Sequence, residues 1–303
     1  MNESNLTPEA DKVLEKFISF WPIMTREYYR SKLLRSIKYE MLTKGESKAS
    51  EKSVFSAIEN EFPSFITLSL SIKDPQEIQQ VIRAFKNRDE KNPLVKISRW
   101  QLPPVDIERP VKDLFALLAS PRIGGNTDNI LDAVLEGAEE AGCSVEKKCF
   151  SQLSIKPCSG CLYCQEKNRE NLCSINDDMD YMYNRFRECD AFVLGFPIYS
   201  ARESAQAATF IDRLKALSDP WDTRRPELKK GMLVATWGWP SVDLYRNIID
   251  NVAFIIRHFG FEIAEVVTGC GFWESYYKKG SALLNKEGIE EAKAAGKALA
   301  SNK

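Results

Sequence analysis

Ser120-Pro121-Arg122-Ile123-Gly124-Gly125-Asn126-Thr127 is the stretch whose reading decides the fold. An apolar run, Leu114-Phe115-Ala116-Leu117-Leu118-Ala119, precedes it. A helical pattern of Ile130, Leu131, Val134, Leu135 and Ala138 follows. The order is buried strand, small polar loop, helix. Two glycines let the backbone curl around a ligand. Asn126 is the expected N-cap, and a helix start offers unpaired N–H groups and a positive dipole end. Ser120, Asn126 and Thr127 add side-chain donors and Arg122 adds a charge, so the loop reads as a phosphate cradle. It is neither Gly-x-Gly-x-x-Gly nor the nucleotide P-loop, because no Gly-Lys-Ser/Thr is present. An ordinary strand-to-helix turn is the bland alternative.

Working outward, strands are expected at 113–119, 145–150, 191–196, 231–237 and 262–269. Helices are expected near 126–142, 178–188, 204–217, 243–259 and 286–300. Strands alternating with helices imply a parallel sheet covered on both faces. Ligands of such sheets bind beyond the carboxyl ends of the strands. The loops after the first, third and fourth strands should therefore meet. Toward the N-terminus, Thr7-Pro8 opens a helix with Val13, Leu14, Phe17 and Ile18 on its apolar face. A second helix carries Leu33, Leu34, Ile37 and Met41, with a basic solvated face, and a third starts at Ser50. A period-two strand is expected at 66–72, a helix after Asp74-Pro75, and a short strand at 94–97. Prolines between Pro103 and Pro110 mark a linker. The expected division is 1–110, a mainly helical α+β accessory domain, and 111–303, the α/β domain.

Composition is that of a globular chain: 303 residues, 44% hydrophobic, 28% charged, formal net charge −1. No strong field points to nucleic acid. No signal-peptide core or membrane-length apolar run is present, so the expected location is cytoplasmic and the eight cysteines are read as thiols or metal ligands. Four of them form Cys158-x2-Cys161-x2-Cys164-x8-Cys173. Three thiols at i, i+3 and i+6 can converge on one centre, and this compact spacing suits [4Fe–4S] better than zinc. A thiol-rich loop without metal is the alternative. Cys143, Cys149, Cys189 and Cys270 fall in expected regular elements and read as small buried residues. The single histidine, His258, reads as structural, and Asp177-Asp178 as a helix cap.

Ser-Pro-Arg-x-x-Gly-Asn-Thr after a first strand resembles the NAD(P)H-dependent FMN reductase branch of the flavodoxin-like proteins. With the cysteines, the chain is similar to the iron–sulfur flavoproteins over about Asp113 to Lys303. The resemblance implies a doubly wound, five-stranded parallel sheet of flavodoxin-like α/β fold that binds FMN, with Ser120, Arg122, Gly125, Asn126 and Thr127 on its phosphate. Gly195-Phe196-Pro197-Ile198-Tyr199-Ser200 resembles the family's second flavin loop, so Pro197, Ile198, Tyr199 and Ser200 should line the ring. After the fourth strand, Trp237-Gly238-Trp239 departs from the small residues usual there. It either flanks the flavin or a nicotinamide, or packs as a loop. The last gap of the cysteine motif, before Cys173, is longer than in the family.

The function so implied is an FMN-dependent oxidoreductase coupled to a [4Fe–4S] cluster on Cys158, Cys161, Cys164 and Cys173. The catalytic chemistry is then the flavin's own. Alternatives are a cluster-free NAD(P)H-dependent FMN or quinone reductase, an electron carrier without its own substrate, and a flavin-less regulatory module. Expected partners are NAD(P)H or a ferredoxin-like donor, a small-molecule acceptor and a second copy of the chain, as homodimer or homotetramer.

Overall fold

A computed structural model describes residues 5–19, 23–61, 95–218, 227–238, 242, 244–272 and 279–301. The chain divides into two compact units, Met1–Ala84 and Phe85–Lys303. The expected strand at 66–72, the helix after Asp74 and Trp239 lie outside the described residues.

The first unit contains α1 (Pro8–Ser19), α2 (Ile23–Lys44) and α3 (Glu51–Glu61). Thr7 Oγ1 accepts from the Ala10 amide at 3.2 Å, the cap that Thr-Pro implies. The helical spacing brings Leu14, Phe17, Leu33, Ile37, Val54 and Ile58 into one apolar core. Val13 and Leu34 sit at its margin, and Arg35 and Lys38 on α2 are exposed.

In the second unit, β1 (Lys96–Arg99) is followed by β2 (Asp113–Leu118), α4 (Asn126–Glu140), β3 (Ser144–Cys149), α5 (Met179–Glu188), β4 (Ala191–Tyr199) and β5 (Arg202–Glu203). Then come α6 (Ala205–Arg213), β6 (Lys229–Thr236), α7 (Arg246–His258), β7 (Phe261–Cys270) and α8 (Lys286–Ala300). The sheet order is β3-β2-β4-β6-β7-β1, with the first five strands parallel. For the parallel strands alone this is the flavodoxin-like order 2-1-3-4-5. Phe115, Phe192, Phe196, Phe210, Phe186 and Ile256 pack on one face; Leu114, Val193, Ile130, Val134 and Leu299 pack on the other. Burial on both faces explains why β2 and β4 read as continuous apolar runs rather than alternating ones.

Two expectations need correction. β1 pairs antiparallel with β7 from Lys96↔Cys270 to Arg99↔Val267. The segment before the prolines is thus an edge of the α/β sheet, and the expected boundary at 110 falls inside the second unit. Proline stops regular structure locally, but it says nothing about which sheet the preceding strand joins. The expected helix at 204–217 is α-helical only to Arg213 and tightens into a 3-10 turn over Leu214–Leu217.

Candidate functional site

The carboxyl ends of β2, β4 and β6 open onto one cleft, where ligands of parallel sheets bind. Ser120, Arg122, Gly125, Asn126, Thr127, Pro197, Ile198, Tyr199, Trp237 and Gly238 line it, together with Thr236 and Phe272. Of the eleven cofactor-binding positions expected from the sequence, Ser200 alone is not in the lining. It occupies a two-residue turn between β4 and β5 with Ala201, and both have left-handed backbone, φ 50° and 59°. Such a turn suits the strand twist but not side chains, a local strain at the rim of the cleft.

The phosphate-loop candidate is built from the inside. Gly124 takes φ 72°, and its amide donates to Asp128 Oδ2 at 2.7 Å. Gly125 packs so closely that a Cβ would lie 2.9 Å from the Arg122 carbonyl oxygen. Gly125, in extended backbone, is the N-cap of α4; the expected cap, Asn126, is the first helical residue. Its Oδ1 instead accepts from the Ala282 amide at 2.9 Å, tying the loop to the segment before α8. The cap geometry needs only extended φ/ψ, which glycine supplies as readily as asparagine. Ser120 and Thr127 are buried, and Thr127 Oγ1 lies 2.6 Å from Thr236 Oγ1, linking the ends of two strands. Ser204 Oγ donates to the Ala119 carbonyl at 2.6 Å and caps α6 by accepting from Ala207.

A buried carboxylate needs a counter-charge. Lys147 on β3 bonds Asp128 at 2.8 Å and also Asp132. Burial pulls the Lys147 ammonium down, but its bonds to Asp128 and Asp132 outweigh that and hold it above its ordinary range. Sequence reasoning missed Asp128, Lys147, Thr236 and Phe272. Thr236 stands beside Trp237 at a strand end and was within reach; the Asp128–Lys147 pair joins a helix to the neighbouring strand and left no local signal.

Trp237 is buried, edge-on to Tyr245 with ring centroids 5.7 Å apart, so it both lines the cleft and packs. His258 is exposed at the end of α7 against Phe259. Cys143, Cys189 and Cys270 are buried as expected, and burial pushes the Cys189 thiol up to about 12. Cys149 is only half-buried, because it ends an edge strand.

The four motif cysteines lie in the loop after β3, which leaves the sheet at the same edge as the cleft. None lines the cleft. Cys164 and Cys173 pack against the core, whereas Cys158 and Cys161 are exposed. Gly160 and Leu162 both take left-handed backbone, φ 68° and 63°. Cys161 Sγ sits 3.1 Å from Ser174 Oγ, a contact that holds the thiol below its ordinary range. Among the described residues no three Cys, His, Asp or Glu side chains are gathered as a metal site. The donor chemistry nonetheless fits iron: four thiols in one loop, two anchored and two on an exposed turn. The buried Arg213 Nε–H has no partner among the described residues.

Asp178 is the N-cap position of α5 but makes no side-chain cap bond and accepts from the Ser154 amide at 2.6 Å; Asp177, just before it, accepts from the Met179 amide at 3.0 Å.

Residues 113–242 match the family model for NADPH-dependent FMN reductase. An iron–sulfur flavoprotein of Archaeoglobus fulgidus is 41% identical over 98 residues, 32% of this chain and 43% of that one. One of Methanosarcina thermophila is 34% identical over 100 residues, 33% of this chain and 51% of that one. Iron-sulfur flavoprotein MJ0731 of Methanocaldococcus jannaschii is 26% identical over 187 residues, 59% of this chain and 86% of that one. The chain spans about half the length of the first of these curated relatives. With its strand order and a cleft bounded by the expected loops, the α/β unit of this chain matches the NADPH-dependent FMN reductase family over residues 113–242 and is similar to iron–sulfur flavoproteins.

Proposed function

We propose that this chain is an FMN-dependent oxidoreductase that holds FMN in the cleft between the β2, β4 and β6 loops and a [4Fe–4S] cluster on Cys158, Cys161, Cys164 and Cys173. The observation that carries the reading is the convergence of three sequence-distant loops on one cleft beneath a helix N-terminus. FMN would supply hydride and single-electron chemistry there, and the cluster single-electron transfer. The residues themselves do the binding. Ser120, Thr127 and the first turn of α4 offer donors to one phosphate, and Arg122 offers charge. Pro197 and Ile198 form a stiff apolar wall, and Trp237 and Phe272 exclude water from the opposite side. Tyr199, 38% exposed, stands at the mouth, where a substrate or nicotinamide would enter. The loop is too short for a pyrophosphate, which favours FMN over FAD.

The separated thiols favour a second reading, a cluster-free NAD(P)H-dependent FMN or quinone reductase. The donor is NAD(P)H or a ferredoxin-like protein and the acceptor a small molecule; an electron carrier without its own substrate differs by lacking turnover. Self-association as dimer or tetramer, which would cover the flavin, is testable by sedimentation. Among the described residues no helix is long and apolar enough to cross a membrane. The test is anaerobic purification of the full chain, with flavin identification, iron and sulfide analysis and NAD(P)H oxidation assays. FMN with equal iron and sulfide supports the first reading. FMN without iron after reconstitution replaces it with the second, and released FAD overturns both.

A further inference from the structure

Arg213, the last residue of α6, is 2% exposed, which makes it the largest fully buried side chain among the described residues. Its Nη1 donates to the Lys156 carbonyl and to Asp177 Oδ2, each at 2.8 Å, and its Nη2 to Asp177 Oδ1 at 3.0 Å and toward the Ile175 carbonyl at 3.5 Å. Asp177 in turn accepts from the Lys156 amide at 2.9 Å. One guanidinium and one carboxylate therefore fasten residue 156 to residues 175–177. Those are the two stems of the loop that carries all four motif cysteines.

The loop's contents are anchored on the same side: Cys173 packs against the core that holds Tyr183. The Tyr183 hydroxyl itself donates to the Arg213 carbonyl at 2.9 Å. The short turn with Cys164, Tyr163–Gln165, packs on the 3-10 turn Leu214–Leu217 that continues from Arg213. Four guanidinium bonds are made, yet among the described residues the buried Nε–H has no partner. A buried orphan donor is costly unless something comes to accept from it.

We propose that Arg213, held by Asp177, is a positioning residue for the iron–sulfur centre: it clamps the two stems of the cysteine loop. This rests on the cluster reading above. The clamp brings the first and last cysteines near a common origin, which shortens the search the four thiols make for one centre. A fixed positive charge at the base of the cysteine loop offsets thiolate charge and raises the reduction potential of a cluster. Lysine would keep the charge but cannot hold two stems with a planar fork.

The experiment uses the full chain, reconstituted anaerobically with ferrous iron and sulfide. The variants are Arg213→Lys, Asp177→Asn and the double change Arg213→Met with Asp177→Asn. The double change leaves no unpaired buried charge, so it is expected to fold. FMN content and circular dichroism check the fold, and iron and sulfide per chain and the potential from an EPR-monitored titration are the readouts. Limited proteolysis of the iron-free chain is a further one. We expect iron affinity to fall about 10–100-fold in the double variant with FMN retained. We expect a lower potential in Arg213→Lys, and several-fold faster cleavage between residues 157 and 174 in the iron-free double variant. Wild-type iron content and potential in folded variants overturn the clamp and leave the cluster reading standing. A wild-type chain that takes up no iron overturns the cluster reading and the proposal with it.

Discussion

Gly125 and Thr127 show how much of the cleft rests on single atoms. At Gly125 an alanine Cβ would sit 2.9 Å from the Arg122 carbonyl oxygen and 3.1 Å from Arg122 Cβ, so the loop must shift. Gly125→Ala is expected to weaken FMN binding about tenfold, near 1.4 kcal/mol, read as a Kd from flavin fluorescence quenching. Thr127→Val keeps shape but strands the buried Thr236 hydroxyl, now 2.6 Å from its partner. That should destabilise the fold by about 1–3 kcal/mol, and adding Thr236→Val should recover part of the loss, because neither partner is then left unsatisfied. Urea unfolding of the two single variants and the double variant checks it; additive losses would argue against the bond.

At the scale of elements, α4 and α8 lie unusually close. A Cβ on Gly137 would come 1.9 Å from the Lys293 carbonyl oxygen, and one on Gly296 would come 1.9 Å from that of Val134. Gly→Ala inside a helix ordinarily stabilises by about 1 kcal/mol. Here the sign should reverse: Gly137→Ala and Gly296→Ala should each cost about 1–3 kcal/mol by overpacking, seen as a lower Tm. The Arg213–Asp177 pair makes a second prediction at this scale. Burial pushes the Asp177 carboxyl up, but Arg213 and the Lys156 and Met179 amides outweigh it and hold the pKa below the usual carboxylate range. An unfolded aspartate titrates near pH ~3.9. The stabilisation is therefore complete above that value and is lost as pH falls through the lower folded pKa. Asp177→Asn should lower stability at neutral pH and flatten the decline between about pH 4 and pH 2, measured by denaturant unfolding across that range.

For the whole molecule, β1 decides where the α/β unit starts. Its Arg99 Nε bonds Glu265 on β7 at 2.7 Å, and Trp100, just after it, packs against the core and under Arg246. A chain starting at Phe85 should fold as a sheet with its β7 edge covered. A chain starting at Arg109 lacks β1 and bares that edge, a template for pairing between molecules. Sedimentation and flavin content check this. The longer chain should stay dispersed and retain FMN, and the shorter should aggregate or lose stability. Equal behaviour of the two would make β1 dispensable.

What the sequence by itself determined is local. A buried strand, a glycine loop and an amphipathic helix follow one another between 113 and 140, and the same alternation recurs to residue 300. Hydrophobic period and turn chemistry are properties of a few adjacent residues, so strands, helices and the three loops of the cleft could be read directly. The cysteine spacing was legible for the same reason. Only the tertiary structure decided which distant groups meet. It joined β1 to the far edge of the sheet, Thr127 to Thr236, Lys147 to the buried Asp128, and Arg213 to both stems of the cysteine loop. Each of these pairings spans from about 20 to over 170 residues and is selected by packing and burial, which demand a partner for every buried charge and hydroxyl. A linear pattern carries no record of that demand until the chain has closed on itself.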